Sequence, residues 1–81
     1  MELIDYCEFL VKSIVKKPEL VKVKTFGGDE DATILEIIVS KDDIGRVIGK
    51  QGKMASSLRT MILAYAYLHN IRNLKINIDS F

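Results

Sequence analysis

The residues with the most chemical character lie together, in Ile44-Gly45-Arg46-Val47-Ile48-Gly49-Lys50-Gln51-Gly52-Lys53. Three glycines fall within eight residues and alternate with three cations. A glycine inside a helix costs roughly 1 kcal/mol relative to alanine, so their concentration implies a backbone that must turn sharply or be approached closely. Gly49 suits the end of a short helix, where a positive φ is needed. Gly52 lets the chain turn straight into a following helix and leaves no side chain over the loop. The product is a tight exposed loop against a helix N-terminus, whose free N–H groups suit a phosphate oxygen. Lys50 stands at its tip, Arg46 and Lys53 are close in sequence, and Gln51 adds donors and an acceptor without charge. This is the chemistry of anion binding, not of catalysis.

Other glycine motifs fail on the letters. A Walker A loop needs four residues between its first glycine and Gly-Lys, then Ser or Thr. Here three residues separate Gly45 from Gly49, and Gln51 follows Lys50. A dinucleotide fingerprint needs Gly-x-Gly, which does not occur here. An αα-hairpin turn with no ligand is the plain structural alternative. Cys7 and His69 are the only residues of their kinds, so a disulfide, a Cys/His zinc site and a Cys-x-x-Cys redox site are all excluded. The paired acids Asp42-Asp43 belong to a helix start. The expectation is a non-enzyme with no metal and no cofactor.

The elements that position the loop can be read from periodicity. Leu3, Cys7, Leu10, Val11 and Ile14 recur at helical spacing, which predicts a helix over 2–17 stopped by Pro18. Cys7 on that stripe is expected to be a buried, inert thiol. Residues 20–26 and 32–39 alternate as strands, with Val21, Val23 and Thr25 on one face of the first, and Thr33, Leu35, Ile37 and Val39 on one face of the second. Gly27 to Asp31 reads as the turn of an antiparallel hairpin. Ser40 and Asp43 have the spacing of a capping box for a short helix ending near Ile48. A long helix follows over about 53–69, with His69 near its end as a cap or dipole partner. Asn70 and Asn73 bracket its exit. Residues 74–79 form a last strand with Leu74, Ile76 and Ile78 inward. The whole is one α+β domain over 1–81, a two-layer α-β-β-α-α-β sandwich of three strands and three helices.

The run IGRVIGKQGK in this context resembles the signature of KH domains, with Gly49-Lys50-Gln51-Gly52 as the GXXG loop. The element order resembles the type II arrangement. The chain as a whole resembles the KhpA family of small bacterial KH proteins, through FLVKSIVKKPELVKV, the glycine-rich hairpin turn, IGRVIGKQGKMASSLRT and the closing strand. The resemblance implies binding of single-stranded RNA, with the GXXG loop clamping the backbone of about four nucleotides. It implies a site made of Ile44, Gly45, Arg46, Val47, Ile48, Gly49, Lys50, Gln51, Gly52 and Lys53, with Ile37 and Ile38 on the strand side of an apolar groove at the edge of the second strand. Each groove residue is equally a core candidate, and Arg59 is either an extension of the basic edge or a solvated charge. The family role implied is that of a small RNA chaperone or post-transcriptional regulator in the cytoplasm, linked to cell shape, elongation, division and wall synthesis.

A second feature concerns partners. From Leu58 to Leu68, nine of eleven residues are apolar. Covering a three-stranded sheet needs one stripe, which Leu58, Ile62, Tyr65 and Ala66 supply. Met61, Leu63, Ala64 and Tyr67 are left over and mark an expected dimer face. The resemblance implies a homodimer, or a heterodimer with a larger KH protein of the Jag/KhpB type. The alternative function is therefore a KH-fold dimerisation adaptor. No secretory signal and no membrane span is expected, the longest apolar run being Met61 to Leu68. The formal net charge of +1 hides a split. Residues 1–43 carry six basic and ten acidic groups, whereas 44–78 carry six basic groups and no acid.

Overall fold

The computed structural model describes residues 2–27 and 32–81, so most of the expected acidic hairpin turn lies outside the described residues. The elements run α1 (Leu3–Lys12), β1 (Lys22–Gly27), β2 (Thr33–Val39), α2 (Ile44–Ile48), α3 (Lys53–Leu68) and β3 (Leu74–Ser80), with single 3-10 turns at Pro18–Leu20 and Lys50–Gly52. The order α-β-β-α-α-β is the expected one.

The sheet is ordered β1-β2-β3, with β2 in the centre. β1 and β2 pair antiparallel, Val23 opposite Ile37, as a hairpin must. β2 and β3 pair parallel, Leu35 opposite Ile76. Parallel strands need a long crossover, and α2, the glycine loop and α3 together provide it. Leu35, Ile37 and Val39 of β2 have no exposed surface, and Val21, Val23, Leu58 and Ile62 complete the core with Leu3, Cys7, Val11 and Val47. The opposite face of the sheet carries the exposed Lys22, Lys24, Lys75 and Asn77, as expected of a sheet covered on one side. Thr25, expected inward, is exposed. It lines an open cleft with Glu2 and Ile71 beside the first turn of α1, where helical cover has ended.

α1 stops at Lys12, not at residue 17. The Ser13 hydroxyl donates back to the Phe9 carbonyl at 2.6 Å, and the Ile14 N–H bonds the Val11 carbonyl three residues back. The N–H groups of Lys16 and Lys17 then donate to the two carboxylate oxygens of Asp43, each at 3.0 Å. In a continuing helix those donors would bond the carbonyls of Lys12 and Ser13. The buried acid thus competes for them and draws the chain away. The following 3-10 turn at Pro18–Leu20 delays β1 to Lys22.

The same acid overturns the expected capping box. Asp43 is itself the residue before α2 and makes no side-chain cap there, because both its oxygens are engaged with Lys16 and Lys17. The Ser40 hydroxyl accepts from the Asp42 N–H at 3.2 Å, and the Ser40 carbonyl accepts from Asp43 and Ile44. The N–H groups of Lys16 and Lys17, with the Arg46 and Lys17 charges nearby, hold the Asp43 carboxyl below the usual carboxylate range.

α3 buries Ala55, Leu58, Ile62 and Ala66 on one stripe. Tyr65, half-buried, stacks on Tyr6 of α1 at 4.4 Å and on His69 at 4.2 Å. His69 therefore holds the C-cap position while its ring packs sideways on the tyrosine. Beyond it Asn70 takes φ 61, the Ile71 N–H bonds the Ala66 carbonyl and the Asn70 N–H bonds the Tyr67 carbonyl. This is a Schellman closure with asparagine in the usual glycine place. Cys7 is fully buried, which pushes its thiol up to about 11 and leaves it inert, as expected.

Asp43→Asn keeps the shape but offers one acceptor oxygen to two backbone donors and turns an NH2 toward the other, and the expected thermal result is a fall in Tm on the order of 5–10 °C. The pH dependence carries the sign. A depressed folded pKa stabilises above the ordinary carboxylate value, 3.8, and that contribution is lost as pH falls through the folded value. Melts from pH 7 to below pH 4 should show a flatter acid limb for the variant than for the parent.

Candidate nucleic-acid interface

The glycine loop is built by two different backbone demands. Gly49 ends α2 at φ 77, ψ 175, a region open essentially to glycine alone. A Cβ there would also lie 2.6 Å from the Met54 Cβ and 2.8 Å from its backbone nitrogen. Gly52 precedes α3 in the left-handed region, φ 75 and ψ 11, with open space around it. Gln51 between them is left-handed too, φ 56 and ψ 27, an unusual state for a residue with a side chain. Nothing in its residue type signals this. The neighbouring glycines make the turn tight enough to impose it.

The consequence is a protruding tip. The Gly52 N–H closes on the Gly49 carbonyl at 3.2 Å. The N–H groups of Lys50 and Gln51 have no acceptor among the described residues, and both residues are exposed. Two bare donors thus stand at the start of a 16-residue helix whose first turn holds no acid. Lys50, Lys53 and Arg59 are exposed, and among the described residues no carboxylate pairs with them. Arg46 is exposed along much of its length and lies 3.9 Å from the buried Asp43 carboxylate, long for an ion pair, so its guanidinium is oriented but not consumed.

Not every expected site residue reaches this surface. Ile44, Ile48, Gly49 and Gly52 are half-buried beside the loop, and Gly45, Arg46, Lys50, Gln51 and Lys53 are exposed. Val47 has no exposed surface and joins the core. Its role is to fasten α2, because a five-residue helix must bury something to stay in place. Ile37 is likewise in the core, and Ile38 faces the opposite side of the sheet. β2 has no free edge, being paired on both sides. The edge strand on the α3 side is β3, against which α3 packs. That parallel pairing joins residues far apart in the chain, and no local pattern announces it.

The residues of the expected dimer face are all outside the core. Met61 is 43 % exposed, Leu63 44 % and Tyr67 82 %; Ala64 is also exposed, and Leu68, at 77 %, joins them.

The two glycines should respond differently to substitution. Gly49→Ala is expected to cost about 3 kcal/mol, from the backbone region and the collision with Met54. Gly52→Asn, in the left-handed region with open space, is expected to cost about 1 kcal/mol or less. Urea denaturation of both variants checks the contrast.

The family model described as the KH domain of KhpA/KhpB matches residues 4–78. RNA-binding protein KhpA of Borreliella burgdorferi is 44 % identical over 69 residues, covering 85 % of this chain and 83 % of that one. RNA-binding protein KhpA of Clostridium perfringens is 48 % identical over 66 residues, covering 82 % and 87 %. RNA-binding protein KhpA of Chlamydia pneumoniae is 34 % identical over 68 residues, covering 84 % and 86 %. Among solved structures, Era in complex with MgGDPNP and nucleotides 1506–1542 of 16S ribosomal RNA superposes with a TM-score of 0.68. At 17 % identity, over 96 % of this chain and 29 % of Era, that likeness shows the fold alone. A match over nearly the whole chain, at these identities, with a type II KH order and a glycine loop of this form, means that the chain belongs to the KhpA/KhpB family of KH domains.

Proposed function

We propose that this protein binds single-stranded RNA through the Gly49-Lys50-Gln51-Gly52 loop. The observation that carries the proposal is the pair of N–H groups on Lys50 and Gln51 left unbonded among the described residues, at an exposed tip that carries Lys50 and is flanked in sequence by the exposed Arg46 and Lys53. A phosphate placed there meets backbone donors, helix-terminal polarity and mobile positive charge together. From Ile44 to Ile78 there is no acid to oppose it. The RNA-binding names of the relatives and the RNA held by Era support the same reading. Bases would then lie between Ile44 and Ile48 of α2 and the free edge of β3, whose unpaired backbone donors and acceptors suit base edges. No step of bond making is involved. A small cytoplasmic RNA chaperone or post-transcriptional regulator, with the family's link to cell elongation and division, is the cellular role we infer.

A second reading, protein partnering, is favoured by one observation. Met61, Leu63, Ala64, Tyr67 and Leu68 leave apolar surface on α3 that the core does not use. A homodimer, or pairing with a larger KH protein of the Jag/KhpB type, would cover it.

Lys50→Asp combined with Gln51→Asp is expected to lower affinity for a labelled single-stranded RNA by at least tenfold in fluorescence anisotropy, with circular dichroism and Tm nearly unchanged. Full binding by that variant sinks the role of the loop. Wild-type affinity should fall with salt at a shallow slope, about −0.7 per phosphate engaged. For the second reading, Met61→Glu should convert any dimer seen in sedimentation at micromolar concentration to monomer, while RNA binding by the loop persists.

A further inference from the structure

At the end of α3 away from the glycine loop, a cleft of about 740 Å³ opens between the last turns of the helix and the start of β3. Its walls include Leu63, Tyr67, Asn70, Arg72, Asn73 and Leu74. The rim is fixed in advance. Asn70 and Asn73 both hold left-handed conformations, and the Schellman bonds to Ala66 and Tyr67 lock the connection. Tyr67 is 82 % exposed and stacks on no other ring among the described residues. Arg72 is exposed, and among the described residues no carboxylate pairs with it.

An exposed aromatic face, a nearby guanidinium and two side-chain amides are the groups that hold an unstacked base and its phosphate. A path leads to them. Arg59, Leu63 and Tyr67 follow one another at four-residue steps along one flank of α3, and all three are exposed. A helix of 16 residues spans about 24 Å, so this place is separate from the glycine loop. Charge favours nucleic acid over protein as the occupant, since no acid occurs from Ile44 to Ile78. The apolar surplus on α3 also divides here. Leu63 and Tyr67 line the cleft, whereas Met61 and Ala64 do not.

We propose that this cleft is a second nucleotide site, in which a base of the same RNA strand stacks on Tyr67 while Arg72 engages its phosphate. The proposal rests on RNA binding at the glycine loop and extends it along α3.

The test compares two single-stranded oligoribonucleotides on the intact chain, one of about four nucleotides and one of about ten. The longer one is expected to bind wild type more tightly. Tyr67→Ala should lose roughly five- to tenfold in affinity for the longer RNA, the loss of one stacked base, and leave the shorter one unchanged. Tyr67→Phe should keep the affinity, because the ring stacks without its hydroxyl. Arg72→Gln should flatten the salt dependence for the longer RNA by about 0.7. Equal binding of the longer RNA by Tyr67→Ala and wild type overturns the second site while RNA binding at the loop stands. A change in sedimentation alone, with RNA binding intact, assigns the cleft to a protein partner and overturns it too. If neither RNA binds wild type, the glycine-loop reading fails and the cleft proposal with it.

Discussion

The arrangement hangs on a buried carboxylate. Asp43 has no exposed surface, yet it accepts from the N–H groups of Lys16 and Lys17, 27 and 26 residues earlier in the chain. A buried charge is tolerated only where hydrogen bonds replace its water; these two backbone donors do so, and the Arg46 guanidinium, 3.9 Å away, adds only an opposite charge. The same bonds end α1, seat the segment leading into β1, and pin the residue from which α2 begins. Because α2 is only five residues long, its position is set by that anchor and by Val47 beneath it. The glycine loop therefore stands where it does through a contact made on the other side of the helix.

The two halves of the chain use charge differently. Acids of the first half act in the structure: Asp43 clips the backbone and Asp42 pairs with Lys17 at 2.7 Å. The exposed Lys17–Asp42 pair adds little stability by itself, but it offsets the charge of Lys17. In the second half, Lys50, Lys53 and Arg59 are left without carboxylate partners among the described residues. A near-neutral total is thus compatible with a strongly positive face. The field of that face is local, since charges beyond about 8 Å are screened at physiological ionic strength.

The core explains the surplus on α3. Ala55, Leu58, Ile62 and Ala66, with Tyr65 beside them, suffice to cover the sheet. The stack of Tyr6, Tyr65 and His69 fastens α1 to the C-terminal half of the same helix. What remains apolar is set around the exposed side, and the position of each residue on the helix decides whether it borders the cleft at β3 or the opposite flank. A chain of 81 residues buries a modest share of its surface, so such a face offers stability to be gained by covering it.

Much of this was legible in the letters. Period-two alternation located the three strands and the 3.6 period the first helix, and the glycine spacing marked the loop between the other two helices, because these depend on backbone sterics within a few residues. The identity of the loop cations and the leftover apolar residues of α3 were legible for the same reason. Three matters were not. The early end of α1 depended on Asp43, a competitor for its donors that lies 26 residues away. The separation of Val47 and Ile37 from Ile44 and Ile48 depended on which way a short helix and a central strand face. The placing of β3 as the edge strand beside α3 depended on a parallel pairing across the whole crossover. Local sterics select the elements; only long-range hydrogen bonds and burial decide how they are set against one another, and hence which of the candidate residues meet solvent.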